Sequence, residues 1–280
     1  MIQASLIVSL HNNVLVNDLM LTSIERQSLR DFEVIIVADS ATSDVIRTVQ
    51  TRLPLLSVPA RVVWSNDSGF TPSREQQLIS TAIRNAQSNY CIFVDSSIIL
   101  HSEFIREHLL NRSPNIILSA KSVELSESIV AELTTDNVRN GWLEYKYWRV
   151  LADGVFGEST NVLRGIYLHS SIMRRIMFTN INDVYTHHFS LHVADAEQLL
   201  AATEQSRDVS MKQLLSEVSF CAVDITNTAI GYHCNDNKQP TLQFSQGVLQ
   251  RVKKMRYKVP DFGFQPAMVE AKRMKNKKRY

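Results

Sequence analysis

Glycine is scarce in this chain, with 8 among 280 residues. The dinucleotide-binding fingerprint GxGxxG needs glycines directly after a first strand. Here that turn reads LHNNV, with none. The phosphate-cradling pattern GxxxxGK[ST] is missing too. So is the glycine-rich turn with a basic residue that a sugar-phosphate nucleotidylyltransferase needs after its first strand. A backbone phosphate cradle is therefore not the device used, and a nucleotide must be held by side chains at strand ends. Cysteine is also rare. The three residues, Cys91, Cys221 and Cys234, show no CxxC spacing. Cys91 and Cys221 lie in apolar runs, which reads as buried reduced thiols in a reducing compartment. No run approaches the ~18 apolar residues of a membrane-spanning helix. The opening SLIVSL lacks the basic region and small-residue cleavage site of a secretory signal. The expectation is a cytoplasmic protein, peripheral at a membrane where it meets one.

The net charge of +2 hides an asymmetry. From Gly247 to Tyr280 there are 11 Lys/Arg against Asp261 and Glu270, a surplus of nine. The rest of the chain is acidic, with 19 bases against 26 acids. A basic tail on an acidic body predicts either an anionic partner or a plain solvated terminus. Nucleic acid is the less supported partner. The last nine positions carry no aromatic apart from Tyr280, so base stacking has little to work with.

What is present in the first ~100 residues is an alternation of strand and helix signals. Ser5–Leu10 is a short apolar strand broken by His11-Asn12-Asn13, and Asn17 or Asp18 is placed to cap a helix reaching Ser28. Phe32–Val37 is a continuous β-branched run, the mark of a strand buried on both faces of a parallel sheet. Thr42–Arg52 reads as helix, Ala60–Trp64 as strand, Arg74–Gln87 as helix and Tyr90–Val94 as strand. This β-α-β-α-β-α-β order predicts an α/β fold with a mostly parallel sheet. Ligands of such sheets sit beyond the carboxyl ends of the strands, where Ser9, His11, Asp39 and Asp95 fall. The second half is less regular. Strand signals occur at Ile116–Ser119, Phe220–Val223 and Ala229–His233. Helix signals cover Ser128–Val150 and Ala194–Thr203, and Asn161–Ile176 mixes a loop or strand with a short helix.

Four segments in this order resemble family-2-type glycosyltransferases of the GT-A fold. They are SLIVSLHNN, SIERQSLRDFEVIIVADSATSD, SGFTPSREQQLISTAI and NYCIFVDSSIILHSEF. The resemblance covers the first ~105 residues and is loose afterwards. It implies a GT-A fold with a nucleotide-sugar half over 1–110, an acceptor half over 111–246 and the basic tail over 247–280. It implies inverting transfer of a sugar from a nucleotide-diphosphate donor, most often a UDP-hexose, to a glycan or lipid-linked saccharide. That places the protein in polysaccharide or lipopolysaccharide biosynthesis.

By the same resemblance Asp39 accepts from the base, Ser9 and His11 line the base and ribose pocket, and Arg74 lies near the nucleotide. The metal motif DxD reads Asp95-Ser96-Ser97 here, with Ser97 where the Mn²⁺- or Mg²⁺-binding acid is expected. A neutral hydroxyl is a poor hard-metal ligand. Three readings stay open: a metal held by Asp95 with phosphate and water, a metal-independent enzyme, or a silent binding or scaffolding module. His233, in FCAVDITNTAIGYHC, matches the family's late histidine at the metal or diphosphate. Asp195, in VADAEQLLAAT, matches the helix carrying the general base, with Glu197 and Asp183 as weaker substitutes. His233 as a core histidine, and Asp195 as a helix cap, are the structural alternatives.

Overall fold

The computed structural model describes residues 1–39, 41–65, 80–170, 173, 178–181, 184–185, 188–197 and 221–234. Of Asp39, Trp64, Ser65, Asn180 and Cys221 only the backbone is described. All of these residues lie in one compact unit, Met1–Phe244.

Among the described residues the main sheet has eight strands. They are β1 (Ala4–Ser9), β2 (Phe32–Asp39), β3 (Ala60–Ser65), β4 (Tyr90–Asp95), β6 (Ile116–Ser119), β8 (Thr179–Ile181), β9 (His188–His192) and β10 (Cys221–Asp224). Their order is β3-β2-β1-β4-β9-β6-β10-β8. The strands β3, β2, β1 and β4 are parallel neighbours, and β6 pairs parallel with β10. The strand β9 runs antiparallel between β4 and β6, and β8 antiparallel at the edge. A second sheet joins β5 (Ile98–Leu100), β11 (Gly231–Cys234) and β7 (Val123–Leu125) in the order β5-β11-β7.

The continuous apolar runs are explained by burial on both faces. Leu6, Val8, Val34, Ile36, Ile92 and Val94 enter one core cluster with Met20, Leu21 and Ile24 of α1 (Val14–Ile24) and Val45 and Val49 of α2 (Ser43–Arg52). The alternate residues Ile7, Ile35, Val37, Cys91 and Phe93 enter a second cluster with Ala82 and Ile83, on the helical residues 80–84. Period-two side chains thus divide each strand between two helical layers. A third cluster sits on the small sheet and takes Ile99, Val123, Leu125 and Tyr232.

Several elements differ from expectation. The α1 helix starts four residues earlier than an Asn17 cap allows. Asn13 is its cap, and its side chain accepts from the Val16 N–H. The expected helix over Ser128–Val150 is broken into α4 (Glu127–Glu132), α5 (Thr135–Arg139), α6 (Trp142–Tyr145) and α7 (Tyr147–Phe156), after α3 (Phe104–Asn111). Gly141 provides one break, with φ of +79°, a conformation that residues with a β-carbon rarely adopt. Among the described residues of Asn161–Ile176, Val162–Gly165 form a 3₁₀ turn.

Candidate functional site

The chain leaves β1 on one side, through α1, to reach β2. It later returns to the other side of β1 as β4. This is the topological switch point of the sheet, and ligand crevices of open α/β sheets lie outside the carboxyl ends there. Ser9 and Asp95, the last residues of β1 and β4, are paired in register at that point.

The HNN turn after β1 is organised by its own side chains, which is why it needs no glycine. Asn13 caps α1. Asn12 Oδ1 accepts from the Thr42 N–H and ties this turn to the one after β2. Asn17, buried in α1, donates from Nδ2 to the His11 carbonyl at 2.7 Å. His11 is thereby directed at Asp95, with its Nε2 2.7 Å from Oδ1 and 2.8 Å from Oδ2.

The two serines of the DSS motif have backbone work of their own. The Ser96 N–H donates to the Ser9 carbonyl at 2.9 Å, and the Ser96 hydroxyl accepts from the His11 N–H at 2.8 Å. The Ser97 N–H donates to Asp95 Oδ1 at 2.8 Å, a side-chain turn two residues on. The Ser97 carbonyl accepts from the Cys234 N–H and joins the motif to the small sheet. Asp95 is buried. Burial pushes its carboxyl up, but the hydrogen bond and charge of His11 and the N–H and hydroxyl of Ser97 outweigh it, holding the group below the usual range. It is therefore a preorganised, ionised acceptor.

These contacts also test the fit of a divalent ion. A hard cation wants several free oxygen ligands. Asp95 is already hydrogen-bonded through both oxygens. His233 is turned to Glu124 through Nδ1, with Glu124 on the neighbouring strand position. Among the described residues no three His, Cys, Asp or Glu side chains converge on an ion. Among the described residues Asp95 and His233 are thus engaged and Ser97 offers only a neutral hydroxyl, so these three do not by themselves make a full carboxylate DxD site.

The other expected residues are placed as follows. Asp39 ends β2 at the same sheet edge, paired with Ser65 of β3, and its side chain is not described. Arg74 and Asp183 lie outside the described residues. Asp195 is not brought to this edge. The strand β9 runs antiparallel to β4, so His192 pairs with Tyr90, the first residue of β4. Asp195 follows three residues later, on the helical residues 193–197, and accepts from the Asn115 N–H at 3.0 Å, just before β6. It thus lies by the amino end of β4. Asp95 is at the other end, five residues and roughly 16 Å along the strand. Glu197 is exposed on the same short helix.

Sequence reasoning missed Asp224, which ends β10 at the carboxyl edge. Its Oδ1 accepts from the Thr226 N–H at 2.8 Å and from the Thr226 hydroxyl, and Arg164 lies 3.6 Å from Oδ2. The signal was the one already used for Asp39 and Asp95: an acid closing an apolar strand, here CAVD.

No family model matches the chain, and no curated protein matches it. Solved structures do. The mannosyltransferase PcManGT from Pyrobaculum calidifontis, in complex with GDP-Man and Mn²⁺, superposes with a TM-score of 0.51 at 12% identity, over 84% of this chain and 58% of that one. S. aureus TarS 1-349 superposes with a TM-score of 0.50 at 15% identity, over 83% of this chain and 60% of that one. The chain therefore spans about three fifths of the length of each of these two neighbours. At this identity the likeness is one of fold, and the fold is of the GT-A glycosyltransferase type.

Proposed function

We propose that this protein transfers a sugar, with inversion, from a nucleotide-diphosphate donor to a glycan or lipid-linked saccharide. The observation that carries the reading is the cluster of Ser9, His11, Asp95 and Ser96 at the switch point between β1 and β4. A buried, ionised carboxylate with a fixed rotamer suits a ribose hydroxyl, which donates to it. Asp39, two strands away and so about 10 Å across the sheet, suits a ring N–H of the base. Arg74 is assigned to the nucleotide on the sequence resemblance. The donor proposed from that resemblance is a UDP-hexose. GDP is the comparison to make, because the mannosyltransferase neighbour was solved with GDP-Man.

The leaving nucleotide gains negative charge as the sugar–phosphate bond breaks, and fixed positive groups or donors must meet it. A divalent ion supplies such charge when bound, as Mn²⁺ accompanies GDP-Man in that neighbour. Asp95, Ser97 and His233 would hold it; Asp95 is engaged by His11 and His233 by Glu124, and Ser97 offers only a neutral hydroxyl, so no step is routed through an ion. For the acceptor side, a general base has to stand at the carboxyl edge. Asp224 is there, three strands from β4, and takes the role that the sequence pattern gave to Asp195. The tail over 247–280 contributes an electrostatic attraction to an anionic membrane face.

A second reading, a silent binding module, is favoured by Ser97, whose main chain is committed to Asp95 and Cys234. The experiment is a thermal melt with UDP, GDP and CMP, each with and without Mn²⁺, followed by donor hydrolysis with the nucleotide that shifts it. Saturating a site at a hundred times its dissociation constant adds about 2.7 kcal/mol. A shift without Mn²⁺, with sugar released from the matching donor, is the expected result. A shift only with Mn²⁺ overturns the metal-free reading of the site. No shift with any nucleotide overturns the enzyme.

A further inference from the structure

The α7 helix is apolar on the side that faces water. Its inner side packs Val150 and turns Asp153 inward, where the Ser159 N–H and the Ser128 hydroxyl donate to its carboxylate. At 100° per residue, Leu151, Ala152, Val155 and Phe156 stand with Trp148 on the opposite side. Trp148 is 65% exposed, Val155 73% and Phe156 90%. Tyr145 just before the helix and Leu163 and Ile166 after it extend the strip. Among the described residues, seven of the twelve exposed large hydrophobic ones fall between Tyr145 and Met173. An apolar helix face exposed to water is one that expects cover.

We propose that this face of α7 seats in the interface of an anionic membrane. Two observations choose that occupant over a second copy of the chain. The first is area. The helix offers a strip about 15 Å long and about 10 Å wide, a fraction of the roughly 800 Å² per partner of a standard protein interface. Insertion into lipid has no such threshold, because each side chain contributes separately. The second is charge. Three acids of this region are held by the protein: Asp153 is turned inward, Glu144 binds Arg26 and Ser102, and Glu132 binds Arg149, which leaves Glu158 exposed beyond the helix. Lys146 is exposed beside Tyr145, with its ammonium 5.9 Å from the ring centre, while Arg149 is paired with Glu132 at 2.7 Å. Trp148, Tyr145 and Phe156 beside Lys146 match the headgroup level of a bilayer. The chain's surplus of nine positive charges over 247–280 adds attraction at longer range. The helix has ten residues, half of what a span needs, so it lies in the interface plane. This inference does not need the sugar-transfer reading, since a silent domain would dock the same way.

The test is co-sedimentation of the full chain with vesicles of phosphatidylcholine and phosphatidylglycerol at 7:3, at low salt and in 0.5 M NaCl. High salt screens the tail and leaves the apolar contribution. The wild type is expected to pellet in both, and Trp148→Glu with Phe156→Glu to weaken binding at least tenfold and abolish it at high salt. Leu55→Glu, at an exposed leucine elsewhere on the fold, is expected to change nothing. A readout on the native residue is quenching of tryptophan fluorescence by brominated lipid, which Trp148→Phe should remove. Equal binding of wild type and the double variant, binding lost entirely in high salt, or no binding at low salt overturns the proposal. So does a lipid-free dimer that the double variant dissolves, which would give the face to a second copy.

Discussion

Asp95 and Asp224 are both strand-end carboxylates, but their surroundings suit them to different work. Asp95 is locked by His11 and Ser97, which favours a fixed acceptor. Asp224 keeps Oδ2 at a looser 3.6 Å from Arg164, a geometry that a substrate hydroxyl can enter. Loss of a general base costs typically 10²–10⁴-fold in turnover. Asp224→Asn should therefore lower sugar transfer by at least about a hundredfold while the nucleotide-induced melting shift stays as in the wild type. Asp195→Asn should behave in the opposite sense. It weakens the bond from the Asn115 N–H and costs about 1 kcal/mol of stability, with turnover per folded molecule unchanged. Initial rates and urea melts on both variants decide it. A turnover loss confined to Asp195→Asn would return the base to the opposite edge.

At the scale of elements, β11 is the strand that connects the site to the small sheet. Gly231 opens it at a close approach. A β-carbon there would stand 2.6 Å from Ile98 Cγ2 and 3.4 Å from His188 Nδ1. Ile98 belongs to the strand that follows the DSS motif, so Gly231→Ala should press on β5 and, through it, on the motif. Overpacking of this kind costs typically 1–3 kcal/mol. The expected outcome is an unfolding free energy lowered by that amount, read from a lower denaturant midpoint, together with a weaker nucleotide melting shift. A stability equal to the wild type would show that β5 and β11 have room to part.

The first hundred residues were legible because their strands are buried on both faces, so apolar runs and their bounding acids are local signals. The observed Phe32–Asp39 exceeds the expected strand by Ala38 and Asp39, and Tyr90–Asp95 exceeds it by Asp95. The strand β9 was not legible. Its sequence, HFSLH, alternates polar and apolar as if one side were wet, yet His188 and Ser190 are fully buried. The Ser190 hydroxyl is shared with the Tyr90 hydroxyl at 2.6 Å and His108 Nδ1 at 2.7 Å, partners that lie 100 and 82 residues away. Nothing local announces such pairing. The same strand sets the position of Asp195, so its place by the amino end of β4 was not legible for the same reason.

For the whole molecule, these interior imidazoles set the response to acid. Burial lowers the pKa of His108 well below its ordinary value, and the neighbouring His188 lowers it further. Burial likewise lowers His101, against the raising effect of Glu144 and Glu103. The unfolded chain takes up these protons near pH 6.5, while the folded chain resists them. The unfolded state therefore binds more protons below that pH, and stability falls as pH falls. The slope approaches about 1.4 kcal/mol per pH unit for each such imidazole. The carboxylates act in a lower window. Burial raises Asp95 and Glu144, but His11 and Ser97 for the first, and Arg26, His101 and Ser102 for the second, hold both below their ordinary values. Their stabilisation is intact above about pH 4 and is lost as pH falls through the folded pKa. Urea melts between pH 7.5 and 5 should therefore show a steady loss that precedes any carboxylate titration. His108→Gln, which keeps a hydrogen-bonding partner for the Ser190 hydroxyl, should remove about one imidazole's share of that slope. It should also lower stability at pH 7.5, where the packed ring is lost. If the slopes of wild type and variant coincide, the buried imidazole is not what makes the fold sensitive to acid.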